Sequence, residues 1–430
     1  MKNLKLHTPV GLTDLLPASY QFKRSLERRI ETVFERYGYA FVSSPTLEYV
    51  AVFEGKGSIP VAEMYKLGDR NGDMLALRPD MTPAVARMAV THHLTGGHGG
   101  DPLRVCYIEK AFRSHKYLQG RENEFTQAGA ELMGISSPEA DAELIALAVH
   151  GLLSAGLEHF RVDIGQVDFL PGVLAELKTA LSETDCDNFM DHMIRRDYVA
   201  AEALTVKAKH IIPAGQLLSD LSQLTGGIDM LTRTKSMVSN PQAQAALRHL
   251  EEVYAILQDQ GLGDHILLDL SMTGQLDYYT GVIFKGYAKG SGATVVDGGR
   301  YDRLLAAFSA NDKPIPAVGF GIKIEGLLDA LTAQGLVFKC ESAETLLAYD
   351  KSARAVALAT GDIMRKQGLH LESSLLNNSL PAGDLEAHKA YALRKNFKGI
   401  IYFSDPDTVL LINLESGKEQ KVTVEELKNL

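Results

Sequence analysis

The sequence predicts an α+β protein in three parts: a strand-rich core over 1–165 and 262–333, a helical insertion over 166–261, and a small α/β domain over 340–430. Three observations predict it. Short runs of β-branched and aromatic residues recur before residue 166 and return after 261. The stretch between them is rich in Ala, Leu, Asp and Gln and reads as mostly helical. Beyond Cys340, apolar runs alternate with a helical segment and close in a hairpin pattern. At 430 residues the chain is too long for one ordinary core, which fits two or three domains.

Taken in order, the first helix follows Pro17. Phe22, Leu26, Ile30, Val33 and Tyr37 fall on one face, and Gly38 is placed to end it. Strands are expected at 39–42, 74–77, 104–108 and 126–133, with a polar loop over 114–124. Leu144, Ile145, Ala148, Val149, Leu152 and Leu153 then make a helical stripe. After the insertion, strands are expected at 266–270, 278–287 and 294–296, followed by a helix over 323–331. In the last domain 355–359 and 399–403 read as strands, and 409–414 with 420–424 as a hairpin across Ser416-Gly417.

Hydrophobic residues make up 45% and charged residues 23%, as expected of a soluble globular protein. The net charge of −10 argues against a protein whose main task is gripping nucleic acid. No apolar run reaches membrane-spanning length, and Met1–Thr8 carries no signal-peptide pattern. Cys106, Cys186 and Cys340 are far apart and without metal-ligand spacing, so they read as reduced thiols of a cytoplasmic protein. There is no P-loop, metal cluster or catalytic-triad spacing, and no cofactor is expected.

Five segments could carry chemistry. Arg113 and Arg121 flank a strand–loop–strand turn and could clamp a phosphate or carboxylate; a solvated hairpin is the alternative. In Thr126–Glu131, Gln127, Gly129 and Glu131 share a strand face, which suits a ligand lying flat on the glycine or an edge strand with a polar side. Asp80 and Thr82 lie just past a strand, where Thr82 before Pro83 is a good helix N-cap. Tyr278 and Tyr279 begin a strand and are expected to face opposite ways; one could meet a pocket, and both could simply pack. Asp297 to Asp302 reads as a glycine turn into a helix, which could merely connect or could bring Tyr301 to a ligand.

In combination these segments resemble the class II aminoacyl-tRNA synthetases. Gly38-Tyr39 with Pro45-Thr46-Leu47-Glu48 resembles their dimer-forming first motif, Ala111-Phe112-Arg113 through Phe125-Thr126-Gln127 the second, and Ala317 through Glu325 the third. The runs Leu77–Thr82, Leu276–Gly281 and Gly298–Asp302 narrow the resemblance to the histidyl type, over Thr8 to Leu331. The resemblance implies a mostly antiparallel sheet with flanking helices, a two-fold dimer formed around 38–48, and a C-terminal domain like an anticodon-binding domain. It also implies a pocket for free histidine. Asp80, Thr82 and Gln127 would meet the α-amino group, and Glu131, Tyr279 and Tyr301 the imidazole.

The sequence departs from that family in its adenylation residues. Gly274 and Gly326 stand where the histidyl enzymes carry arginines, and His115 where they carry a glutamate, while Arg113 and Arg121 are retained. Losing one positioned charge of this kind costs about 100- to 1000-fold in rate. The pattern is similar to that of the regulatory subunits of ATP phosphoribosyltransferase. That group implies a non-catalytic partner of a short catalytic subunit, in a hetero-octamer that activates it and senses histidine as end product of histidine biosynthesis. Two other outcomes stay open: an active histidyl-tRNA synthetase with substituted residues, and a non-catalytic paralogue that binds RNA.

Overall fold

The structure is a computed structural model. It describes residues 4–55, 59–94, 101–114, 122–209, 213–274, 278–309, 312–336, 344–375 and 381–428. The chain divides into two compact units, Met1–Phe338 and Lys339–Leu430.

In the first unit the order is helix α1 (Pro17–Arg36), strands β1 (Ala40–Phe41), β2 (Leu47–Tyr49), β3 (Lys66–Gly68) and β4 (Met74–Leu77), then α2 (Thr82–Ala89), β5 (Leu103–Phe112), β6 (Glu124–Met133), α3 (Pro138–Ala155) and β7 (Phe160–Gln166). Six helices follow, α4 (Phe169–Glu176), α5 (Glu183–Arg195), α6 (Tyr198–Thr205), α7 (Pro213–Leu218), α8 (Ile228–Met237) and α9 (Pro241–Asp259), with the two-residue β8 (Thr225–Gly226) between the fourth and fifth of them. The unit closes with β9 (Ile266–Asp269), β10 (Val282–Ala288), β11 (Thr294–Arg300), β12 (Ala317–Lys323) and α10 (Ile324–Ala333).

Nine strands form one sheet in the order β1-β5-β6-β12-β11-β10-β7-β9-β8. Only β1·β5 and β7·β9 are parallel in it. Strand alternation gives the sheet two unlike faces. On β12, Val318, Phe320 and Ile322 join the core with α1 and α3, and the Phe320 ring meets Phe34 edge-on at 5.9 Å. Gly319, Gly321 and Lys323 point the other way, into a cleft. The same phase holds on β6, where Ala128, Ala130 and Leu132 are buried in the core and Gln127, Gly129 and Glu131 take the opposite face. Helix α3 supports this arrangement. Ser137 caps it by accepting from the Ala140 N–H at 3.3 Å, and Gly156 ends it at φ 92°.

The second unit holds β13 (Thr345–Tyr349), α11 (Arg354–Lys366), β14 (Leu371–Ser373), α12 (Leu385–Arg394), β15 (Gly399–Phe403), β16 (Thr408–Asn413), β17 (Glu419–Thr423) and α13 (Val424–Lys428). Its sheet runs β14-β13-β15-β16-β17, parallel in the first three strands and antiparallel in the rest.

Two sequence expectations fail here. Residues 355–359 are not a strand; they lie in α11, where Ala357, Thr360, Gly361 and Met364 make a buried helical face. A short apolar run without flanking signals fits either period. Asp297–Arg300 is not a turn into a helix but the second half of β11, a central strand, with Gly298 and Gly299 packed against Phe284 and Tyr279. No described helix is long and apolar enough to cross a membrane.

Candidate functional site

The cleft-facing side of the sheet is floored with glycine. Gly129, Gly319 and Gly321 lie side by side across β6 and β12, and Gly299 continues the floor onto β11. A Cβ on Gly319 would run into the Glu131 carboxylate, and one on Gly321 into the Gln127 amide. One on Gly299 would lie 2.7 Å from the Tyr279 ring. Bare backbone at these positions is therefore what makes room for the side chains around the cleft. The cavity measures about 660 Å³, within the usual range for a small-ligand pocket.

At its deep end sits Glu131, fully buried. Its carboxylate accepts hydrogen bonds from Thr82 Oγ1 at 2.9 Å, from the Tyr107 hydroxyl at 3.1 Å, and from the Tyr301 hydroxyl. Burial pushes the Glu131 carboxyl up to about 8, against the opposing pull of the hydrogen bonds from Tyr301, Thr82 and Tyr107. The group is thus poised to gain from a cationic or hydrogen-bond-donating ring. Tyr278 and Tyr279 close the aromatic side, with rings 4.9 Å apart, and Tyr278 stands edge-on to Tyr301 at 6.1 Å. The two tyrosines precede β10 in a turn, so strand alternation does not apply and both rings pack in the same cluster.

Asp80 lines the same cleft, close enough for its charge to act on Glu131. Its Oδ1 accepts from the Met81 N–H at 2.8 Å, and its Oδ2 is 3.7 Å from Arg113 Nη2. The loop that carries it is pinned by Arg78, which is buried and donates to the Lys110 and Ser44 carbonyls at 2.8 and 2.6 Å and to Glu109 at 2.7 Å. Gln127 lines the cleft from β6, on the same strand face as Glu131. Its Oε1 is buried and has no hydrogen-bond partner, a cost that a ligand donor would remove. Thr82 begins α2 rather than capping it, since the cap position is Met81. Its hydroxyl is spent on Glu131, and Pro83, having no N–H, removes one donor that would need an acceptor at the first turn.

All six residues expected to hold histidine therefore border one cleft or its deep wall. Arg113 borders it too, but is partly committed: its Nε donates to the Pro79 carbonyl at 2.7 Å and its guanidinium lies 5.4 Å from the centre of the Phe125 ring. Arg121, His115, Leu276, Asp277 and Cys340 lie outside the described residues. Sequence reasoning missed Tyr107. Its signal was available in the register of β5 on β6, where Tyr107 sits opposite Gly129 and fills the space that a side chain there would take. It also missed how acidic the Arg113 end is: Glu122, Glu325 and Asp329 line the cleft there. Burial and the neighbouring Glu325 and Asp329 charges push the Glu122 carboxyl up. Gly274 and Gly326 also line the cleft, and Gly326 has only Lys323 Cβ near its missing side chain, at 3.9 Å.

A family model described as histidyl-tRNA synthetase matches residues 11–327. The ATP phosphoribosyltransferase regulatory subunit of Acetivibrio thermocellus is 37% identical over 428 residues, 99% of each chain. That of Ruminiclostridium cellulolyticum is 34% identical over the full length of both. A solved structure from Bacillus halodurans, described as an ATP phosphoribosyltransferase regulatory subunit/histidyl-tRNA synthetase, matches with a TM-score of 0.78 at 28% identity, over 93% of this chain and 98% of that one. Apo histidyl-tRNA synthetase of S. aureus, 21% identical over 98% of both chains, shares the fold with a TM-score of 0.71. The fold is thus that of a class II aminoacyl-tRNA synthetase core of the histidyl type. Within that class the chain belongs to the family of ATP phosphoribosyltransferase regulatory subunits.

Proposed function

We propose that this chain is the non-catalytic regulatory partner of a short ATP phosphoribosyltransferase subunit, activates it, and uses the cleft to sense free histidine. The observation that carries the reading is Glu131 held by three hydroxyls in a glycine-floored pocket, with the Gln127 acceptor unpaired nearby. In this reading the imidazole donates to Glu131 and packs against Tyr279 and Tyr301. The ammonium of the same ligand is received by Asp80 and by the free Gln127 Oε1, with Thr82 acting through Glu131. An imidazole and an ammonium separated by a short linker define free histidine more narrowly than any one contact does.

The absence of adenylation belongs to the same reading. Gly274 and Gly326 supply no positive charge where a synthetase needs it, and the nearby Lys23 is already spent on Glu325 at 2.6 Å, while Glu122 and Asp329 add negative charge to the lining. Space is not the obstacle at Gly326, so its lack of charge is chemical rather than steric. A homodimer within a hetero-octamer, working in the cytoplasm, completes the proposal. Phe41, Leu47, Tyr49 and Met74, exposed on β1, β2 and β4, support pairing through the first-motif region. Histidine sensing follows by linkage: a ligand that binds two assembly states unequally shifts their balance. The test is calorimetric titration of histidine into the purified protein, then into its complex with the short catalytic subunit. Binding to the first with inhibition in the second is expected; a protein that ignores histidine in both contradicts the reading.

A further inference from the structure

Away from Glu131, the cleft extends across β10 toward the helical insertion. Lys285 stands on the cleft face of β10, opposite Asp163 on β7 and Asp297 on β11. Both carboxylates are taken: Asp163 accepts from Arg161 at 2.6 Å, and Asp297 from Lys323 at 2.6 Å. Among the described residues the Lys285 side chain has no hydrogen bond or ion pair. A second cation lines the cleft with it. Arg196, just beyond α5, holds the left-handed backbone region at φ 61° and lines the same cleft, and its side chain likewise has no partner among the described residues. The charges are close enough to be felt. Burial first, then the Arg196 and Lys323 charges, lower the Lys285 ammonium below its ordinary value, although Asp297 and Asp269 pull the other way.

We propose that Lys285 and Arg196 form an anion subsite beneath the insertion, suited to a small phosphate-bearing molecule. Two unpaired cations in a partly desolvated cleft raise each other's free energy, and an anion between them removes that cost. The guanidinium fork matches two phosphate oxygens, and the ammonium supplies a point charge from the floor. The Arg113 end is the poorer place for the same ligand, since the Arg113 guanidinium already donates to the Pro79 carbonyl and lies 3.7 Å from the Asp80 carboxylate. The subsite shares no residue with the proposed histidine pocket, so either can fail without the other.

The test is calorimetric titration of the full-length protein at low salt with sodium pyrophosphate, repeated with inorganic phosphate and with ATP. Lys285→Gln and Arg196→Gly are measured in parallel, glycine being the residue that tolerates the backbone at 196. The expected result is saturable pyrophosphate binding that weakens by about tenfold or more in each variant, while histidine binding to Lys285→Gln is unchanged. ATP binding with the same Lys285 dependence identifies the source as a nucleotide; binding of pyrophosphate or phosphate alone identifies a free anion. The proposal is overturned if no anion binds the folded wild-type protein. It is equally overturned if binding survives in both variants and falls in Arg113→Gln instead.

Discussion

Glu131 concentrates the physics of the site. A carboxyl whose folded value rises to about 8 holds a proton, at pH between its ordinary value and 8, that the unfolded chain has released. Its contribution to stability is therefore fully present below the ordinary carboxylate value and is lost as pH rises toward 8. The ligand-free protein should lose melting temperature relative to Glu131→Gln between pH 5 and 9, and thermal melts of both across that window check the sign. At pH 9, where the Glu131 carboxyl is ionised, histidine affinity should fall by about 10- to 100-fold in Glu131→Gln, the range for losing a charged hydrogen-bond partner. Gly319→Ala should abolish histidine binding, because its methyl group would occupy the carboxylate's place. Far-UV circular dichroism distinguishes that loss from misfolding.

Between elements, one buried network ties the site to the insertion. Arg300 on β11 donates to Asp141 on α3 at 2.7 and 3.0 Å, and His249 on α9 lies 2.7 Å from the other oxygen of the same carboxylate. Arg300 precedes Tyr301, so the network fixes the strand end that aims Tyr301 at Glu131. Asp141→Ala leaves the buried guanidinium without its main partner and should cost about 3–5 kcal/mol, read by chemical denaturation. None of this was legible in the sequence, because Asp141, His249 and Arg300 are distant in the chain and no local spacing joins them. The long elements were legible: α1, α3 and β6 have the periodicity that burial imposes, and Gly129 between Gln127 and Glu131 pointed to a bare strand face for a ligand. Asp297–Arg300 misled because two adjacent glycines usually mark a turn. Here tertiary packing against Phe284 and Tyr279 demands glycine within a strand. Residues 355–359 misled because a five-residue apolar run has no period of its own.

At the scale of the whole molecule, a synthetase-type core carries a glycine-floored cleft with Glu131 buried in its wall and Glu122, Glu325 and Asp329 along its lining. Single restorations should not revive adenylation: Gly326→Arg puts one cation among Glu122, Glu325 and Asp329, with Gly274 still uncharged. ATP–pyrophosphate exchange by that variant should stay at background. The central claim, a receptor for histidine without synthetase chemistry, is tested most directly by measuring histidine binding and histidine-dependent ATP–pyrophosphate exchange on one purified sample. The expected result is saturable histidine binding with no exchange above background; robust exchange would contradict the account and make the protein a synthetase despite Gly274 and Gly326.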